Sequence, residues 1–229
     1  MIRLSKRLSA IRDLVIPCKT AADIGCDHGF LSIRLIEEKL AEHVFAADIN
    51  EGPLMRAREH ILEAHLEECI DTIQCDGLSK IPYADAVVIA GMGGQLMLRI
   101  LKDTPEITGA AKELILQPQS EIGMFRRELC AMGFLIDAED FVIEDGKYYP
   151  MMRAIPGKME LTELQALYGP CLLKNRHPGL LEYLQWQREY LAGLADTLKE
   201  QESDKSSIRL AGIFAELKQN EEALRYMNE

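Results

Sequence analysis

The chain has 229 residues with a net charge of −11 and 48% hydrophobic residues, a composition that buries a core and excludes disordered, fibrous and uniformly basic nucleic-acid-coating proteins. Its longest apolar runs, such as Ala84 to Ala90, fall far short of the roughly 20 residues of a membrane span, and the charged start Met1 to Arg7 has no secretory h-region, so a cytoplasmic protein is expected. The six cysteines form no Cys-x-x-Cys pair, so reduced thiols and no metal site are expected.

Leu4, Leu8, Ile11 and Val15 fall on one face of a first helix that Pro17 ends. Between Arg3 and Lys19 five basic residues stand against the single acid Asp13. That reversal of the overall balance suits either the solvated face of a docked helix or a nucleic-acid contact. From Thr20 strand-like runs alternate with helical ones: 20–24 then 30–38, 43–47 then 53–65, then strands at 70–75 and 84–90, a helix near 96–101, a strand at 114–116 and a helix near 121–132. Repeated βαβ units imply a parallel sheet covered on both faces. Runs at 135–143 and 148–155 are separated only by Glu144-Asp145-Gly146-Lys147, a hairpin signal that reverses the last strand.

After Pro156-Gly157 the pattern turns helical. Thr162-Glu163-Leu164-Gln165 fits a capping box. Leu180, Leu184, Leu191, Leu194 and Leu198, and then Leu210, Phe214, Leu217 and Leu224, follow heptad-compatible spacing on either side of a polar turn at 202–207. The expected organisation is a class I Rossmann-like α/β domain at 1–157, including the basic first helix, and a C-terminal helical domain at 158–229 carrying a coiled-coil hairpin. A helical pair packed on the main domain is the alternative.

The chemistry gathers at strand ends. The first strand runs into Asp23-Ile24-Gly25-Cys26-Asp27-His28-Gly29, a glycine turn that lets backbone approach a ligand. The dinucleotide pattern Gly-x-Gly-x-x-Gly fails here, with Gly25, Asp27 and Phe30 at its three positions. Asp48 closes the second strand and could accept both ribose hydroxyls, and Asp76 follows the third, where it could accept an adenine amino group. With Asp23 toward an α-amino group, the three acids would grip the amino acid, ribose and base of S-adenosylmethionine. The fourth strand ends in Ala90-Gly91-Met92-Gly93-Gly94, whose glycines predict close approach of a ligand and a pocket floor facing the methyl acceptor.

The segments Asp23-Ile24-Gly25-x-Asp27-His28-Gly29-Phe30-Leu31, Asp48-Ile49-Asn50-Glu51-Gly52-Pro53, Asp76-Gly77-Leu78, Ile89-Ala90-Gly91-Met92-Gly93-Gly94 and Leu116-Gln117-Pro118 resemble the TrmK family. The resemblance extends from Leu4-Ser5-Lys6-Arg7-Leu8 through Tyr168-Gly169-Pro170 into the terminal helices, essentially the whole chain. Cys26 stands where the family usually has Ser, and Gln119 where it usually has Asn. These are bacterial methyltransferases acting on N1 of the adenine at position 22 of tRNA, so the resemblance implies S-adenosylmethionine as cofactor and tRNA as partner. It implies a cofactor site at Asp23, Gly25, Cys26, Gly29, Asp48, Ile49, Asn50, Asp76, Gly77, Ala90, Gly91, Met92 and Gly93. It places Gly94, Gln117 and Pro118, with the basic residues Arg3, Lys6, Arg7 and Arg12, toward tRNA. Because the N1 lone pair needs no base and the product is cationic, a carboxylate near N6 is the expected catalytic group: Asp27, with His28 as a positioning or proton-accepting neighbour. Helix capping is the alternative role for Asp27. A small-molecule or other-RNA methyltransferase and a noncatalytic binding module remain open as alternatives.

Overall fold

The computed structural model describes residues 3–199 and 204–229. The chain divides into two compact units, Met1–Glu160 and Leu161–Glu229. The first contains α1 (Lys6–Leu14), β1 (Cys18–Ile24), α2 (Phe30–Glu37), β2 (Ala41–Asp48), α3 (Glu51–Glu63), β3 (Ile70–Gln74), β4 (Ala86–Met92), α4 (Gly94–Asp103), α5 (Pro105–Ala110), β5 (Glu113–Pro118), α6 (Ile122–Ala131), β6 (Phe134–Glu144) and β7 (Lys147–Pro156). The second contains α7 (Glu163–Tyr168), α8 (Pro170–Lys174), α9 (Pro178–Lys199) and α10 (Asp204–Asn228). No helix among the described residues is long and apolar enough to cross a membrane.

The seven strands form one sheet in the order β3-β2-β1-β4-β5-β7-β6. The first five strands in chain order are parallel, and β7 runs antiparallel to both β5 and β6. β1 and β5 are internal strands with a neighbour on each side, and both are buried almost throughout. Hydrophobic runs such as Val87-Val88-Ile89 are fully enclosed between the helical layers. Chain order reverses between β1 and β4, and the crevice above their carboxyl ends is where an open α/β sheet holds its ligand.

The reversed last strand follows from the turn chemistry. Asp145 and Gly146 both take left-handed backbone, φ 50° and 70°, as a two-residue hairpin turn that follows the twist of its strands requires. Pairing starts at Glu144 with Lys147 and runs to Phe134 with Pro156, interrupted by one bulge between Ile136 and Ala138.

The first helix starts where Ser5 Oγ accepts the Leu8 backbone N–H at 3.2 Å, and its buried residues are Ala10, Ile11 and Leu14. Its apolar face packs into the core cluster that also holds Ile33, Val44 and Ile115. In the second unit Thr162 and Gln165 make the expected reciprocal capping box. Helices α9 and α10 pack through Leu191, Ala195 and Ile213, flanked by Leu194, Leu198, Leu210 and Leu217. One expected stripe position is corrected: Phe214 is exposed and Ile213 is fully buried, so the apolar stripe runs 210, 213, 217. The expected polar turn at 202–207 overlaps a helix that already starts at Asp204; 200–203 lie outside the described residues.

Candidate functional site

Everything that could hold a small ligand converges on the carboxyl ends of β1, β2 and β4. After Ile24 the chain turns through Gly25 at φ 76°, Asp27 at 49° and Gly29 at 71°. Gly25 and Cys26 both donate their N–H to the Ala47 carbonyl, at 2.8 and 3.0 Å, and Gly29 donates to Cys26 at 2.8 Å, so the turn is locked to the end of β2. Gly29 also has no room to spare: a Cβ there would meet the Ala57 methyl at 3.1 Å. Cys26 is buried, and burial pushes its thiol well above the usual range, which makes it a packing residue rather than a nucleophile.

Asp23 is 5% exposed and accepts a hydrogen bond from Ser32 Oγ at 2.6 Å. Burial raises its carboxyl to about 6, against the bonds from Ser32 and with repulsion from Asp48 adding to the rise. Asp48, at the end of β2, accepts the Asn50 N–H on Oδ1 at 2.8 Å, and beside it Ile49 is exposed despite its apolar side chain. An acid with acceptor capacity to spare next to an exposed aliphatic face suits a ribose followed by a flat base.

Asp76 is already paired. Arg99 Nη2 and Nη1 donate to its two carboxylate oxygens at 2.8 and 3.0 Å, and this pairing holds the acid below the usual carboxylate range. Each oxygen keeps a further lone pair, so an adenine amino group would share Asp76 with Arg99. Gly77 beside it sits at φ 56° with its Cα against the Ile100 side chain.

The glycine run after β4 divides in two. Gly91, at φ 77°, donates its N–H to Gln117 Oε1 at 3.1 Å, at the bulge where β4 slips past β5 between Ala90 and Met92. Gly93 is the cap position of α4. Gly94 is explained by protein packing: a Cβ there would lie 2.6 Å from the Ser120 carbonyl and 3.4 Å from Phe125. It makes the close approach of α4 to the loop after β5 possible, rather than the approach of a substrate. Gln117 is buried at 1% exposure and braces the Gly91 loop, while Pro118 closes buried β5.

Asp27 does not cap a helix. Gly29 occupies the cap position of α2, with no side-chain cap bond, and the Asp27 carboxylate stands exposed with Arg56 Nη2 at 3.5 Å and His28 Nε2 at 3.7 Å. The His28 ring stacks on Phe30, centroids 5.3 Å apart, and Phe30 meets His60 at 4.6 Å. His60 Nδ1 donates to the His28 carbonyl at 2.9 Å, which fixes the proton on that nitrogen because a carbonyl only accepts. His60, Arg56 and Arg99 were not marked in the sequence, and only their helical positions facing the strand ends could have pointed to them.

A cavity of about 110 Å³ opens over the turn after β1, lined among others by Arg7, Asp23, Gly25, Asp27, Phe30 and Ala90. Arg7 is thus a wall of the crevice and not part of an outer basic face. A second, open groove of about 570 Å³ is lined by Arg3, Lys6, Arg12 and Arg34 with Leu4, Ser9, Ala10 and Asp13. In it Arg12 is paired with Asp13 and Glu38, and Arg34 with Glu37 and Glu38. Of the groove's four basic side chains, only Arg3 and Lys6 have no carboxylate partner among the described residues. No group of metal-ligating side chains occurs among the described residues.

Residues 4–152 match a family described as a methyltransferase domain. Over 196 residues the chain is 32% identical to the tRNA (adenine(22)-N(1))-methyltransferase of Bacillus subtilis strain 168, covering 82% of each chain. Streptococcus pneumoniae Sp1610, solved in complex with S-adenosyl-L-methionine, superposes with a TM-score of 0.87 at 28% identity over 97% of this chain and 100% of that one. TrmK of M. capricolum, solved with its cofactor product S-adenosyl-homocysteine, gives a TM-score of 0.84 at 26% identity over 98% and 99%. With a matching domain across most of its first unit and a TrmK-type relative along most of its length, the chain belongs to the methyltransferase-domain family and, within it, to the TrmK tRNA (adenine(22)-N1)-methyltransferases.

Proposed function

We propose that this protein transfers the methyl group of S-adenosylmethionine to N1 of the adenine at position 22 of tRNA, in the cytoplasm. The observation that carries the reading is the cavity at the β1/β4 switch point, lined by Asp23, the turn at 25–28 and Ala90 at the end of β4, in a chain whose relatives hold this donor and its product. When bound, S-adenosylmethionine supplies an electrophilic methyl on a sulfonium. The residues present fit it: buried Asp23 offers an anion to the amino-acid end, Asp48 takes the ribose hydroxyls, and Ile49 underlies the adenine. Gly25, Cys26 and Gly29 hold the turn against which the donor lies, and Asn50 and Gly77 shape its adenosine side.

Adenine N1 presents an in-plane lone pair, so the chain has no proton to remove before attack. Its task is to hold N1 in line with the methyl and to meet the positive charge that develops on the ring. Exposed Asp27 is placed to do the second, accepting from N6 while charge grows. His28, held on Phe30 and fixed through its carbonyl by His60, sets the edge of the opening beside it. Ala90, Gly91, Met92 and Gly93 form the floor.

In a duplex, N1 is hidden in the pairing edge, so the base must be unpaired or flipped, at a cost of a few kcal/mol. Arg3 and Lys6 are the side chains of the α1 groove left to meet phosphate, since Arg12 and Arg34 are paired with acids there. In this reading Gly94, Gln117 and Pro118 support the pocket rather than touch tRNA, which the close packing of Gly94 on Ser120 and the Gln117 bond to Gly91 favour. Incubating the protein with labelled methyl donor and unmodified tRNA, followed by nucleoside analysis, tests the reading. Label in 1-methyladenosine, lost when adenine 22 is replaced, is expected; transfer to another nucleoside or to no tRNA overturns it.

A further inference from the structure

Two glutamines stand at the end of β5, and the fold uses only one of them. Gln117 is buried with both ends of its amide engaged: Oε1 accepts the Gly91 N–H and Arg7 Nη1, each at 3.1 Å, and Nε2 donates to the Pro118 carbonyl at 3.3 Å. Gln119 is exposed, and its side-chain amide makes no hydrogen bond with the described residues. Its backbone is nonetheless fixed. The Gln119 N–H donates to the Met92 carbonyl at 2.9 Å, and the Oγ of the following Ser120 accepts the Gly94 N–H at 3.3 Å. The end of β4 and the start of α4 therefore hold in place a residue whose side chain is uncommitted.

That side chain lies beside the Gly91 loop. A Cβ at Gly91 would stand 3.7 Å from Gln119 Nε2 and 3.0 Å from Arg7 Nη1. The Arg7 guanidinium is itself set by Gln117 and by the Tyr149 ring, 5.4 Å from its centroid. The bare face of Gly91 is thus flanked by an oriented cation and an unused amide. In the sheet β4 lies between β1 and β5, so the Asp27 turn and Gln119 border the end of β4 from opposite sides.

The chemistry of the acceptor selects what an amide can read there. N1 has to stay unbonded until it meets the methyl, so the pairing edge of the base is no handle. The other edge of adenine offers an N6–H donor and the N7 acceptor, and a carboxamide complements both at once. Guanine offers two acceptors on that edge, which leaves the amide oxygen facing O6. N6 carries one hydrogen on the N1 side, where Asp27 meets the growing charge, and one on the N7 side.

We infer that Gln119 reads the N6/N7 edge of the target adenine, Oε1 accepting from N6 and Nε2 donating to N7, while the other N6 hydrogen is left to Asp27. This rests on the adenine-N1 reading proposed above, and it adds the residue that selects adenine over guanine.

The test uses the full-length protein with tRNA assembled to carry adenine or 7-deazaadenine at position 22; the analogue keeps N1 and N6 and has a carbon in place of N7. Because that change also alters the basicity of N1, the readout is the ratio of kcat/KM for the two substrates within each protein. The preference for adenine should be about 5- to 30-fold larger in the parent than in Gln119→Leu, whose side chain has neither donor nor acceptor. Gln119→Glu, with an acceptor in place of the donor, should shift the ratio further toward the analogue. Since Gln119 is exposed, both variants should melt with the parent and bind S-adenosylmethionine within about twofold of it in calorimetric titration. A ratio that Gln119→Leu leaves unchanged overturns the inference whatever the loss of rate, because a structural or phosphate-contacting residue affects both substrates alike. A parent that labels another nucleoside, or no tRNA, overturns the adenine-22 reading itself.

Discussion

Two carboxyl groups sit buried at opposite ends of the same parallel sheet, and burial raises both toward neutrality: Asp23, near the carboxyl end of β1, to about 6, and Glu113, at the amino end of β5, to about 7. Their surroundings separate their roles. Glu113 Oε1 accepts the Ile16 N–H at 2.9 Å, Oε2 has no hydrogen-bond partner in its buried site, and the nearest cation, Arg153, is engaged by Asp137 at 2.9 and 3.0 Å and stands 4.0 Å away. Close by, Asp85 accepts from the Lys19 and Thr20 N–H groups and pairs with Lys112 at 2.9 Å. The acids at that end are consumed in tying the loop after α1 and the strand starts together. At the carboxyl end Asp23 holds the Ser32 hydroxyl and backbone N–H and lines the crevice, and Asp48 holds only the Asn50 N–H, so both keep acceptor capacity for a ligand. Burial alone thus does not mark a functional acid; a strained or spare oxygen matters when it faces a cavity.

The widest separation between the two ends should come from Asp48→Ala. Loss of two ribose hydrogen bonds, one or both charge-assisted, should cost about 2–4 kcal/mol of donor binding, while the melting temperature stays near that of the parent. Donor affinity unchanged in the folded variant would remove Asp48 from the site.

At the other end, Glu113→Gln reverses the readouts. Below the unfolded value near 4.5 both folded and unfolded chains hold the proton. Between there and about 7 only the folded chain does, so stability falls as pH rises through that window and the penalty is complete above it. The glutamine keeps an oxygen for the Ile16 N–H and cannot ionise. It should flatten the slope of stability between pH 5 and 8 and raise stability at pH 8 by about 1–3 kcal/mol. Denaturant melts across that range check this, with donor titration at pH 8 expected to be unaltered. A parental slope retained in the variant would place the titration elsewhere.

The finest distinction concerns Asp23. Above about 6 it is ionised and attracts the donor's ammonium. Below that pH the attraction is lost, so donor affinity should fall by up to about tenfold per pH unit, about 1.4 kcal/mol. Calorimetric titration from pH 7.5 to 5 should show this bend in the parent and not in Asp23→Asn. A bend that survives the substitution would assign it to another group.

Much of this architecture was readable because its signals are local. The Asp145-Gly146 turn, the Thr162–Gln165 capping box and the acids closing successive strands each need only a few neighbouring residues to be interpreted. What escaped depends on residues distant in sequence. Asp76 reads as an open acceptor until Arg99 arrives from α4. Arg7 reads as one basic residue among five until Gln117 and Tyr149 draw it inward. Gly94 looks like a place for a ligand, and the Ser120 carbonyl shows that the protein itself fills the space. Helix phase failed at Phe214 for a related reason, since 213 and 214 are both apolar and only the facing Leu191 and Ala195 decide which turns in. The short α5, opened by Pro105 and only six residues long, spans too few turns for periodicity to show.

The seat of α1 also bears on the order in which the protein matures. Its ties reach far along the chain: Lys6 N–H to Glu144 at 2.6 Å, Arg7 to Gln117, and Leu14 carbonyl to Arg153 at 3.1 Å. During synthesis the first helix therefore emerges long before its partners, and closing contacts of such sequence separation is slow compared with forming the local βαβ units. The arginine wall of the crevice is completed only when the β6–β7 hairpin is in place. A donor molecule bound in this crevice stabilises the closed chain by an amount that grows with the logarithm of its concentration over its dissociation constant, so the methyl-donor supply of the cell acts on newly made molecules as a clasp on the last step of folding.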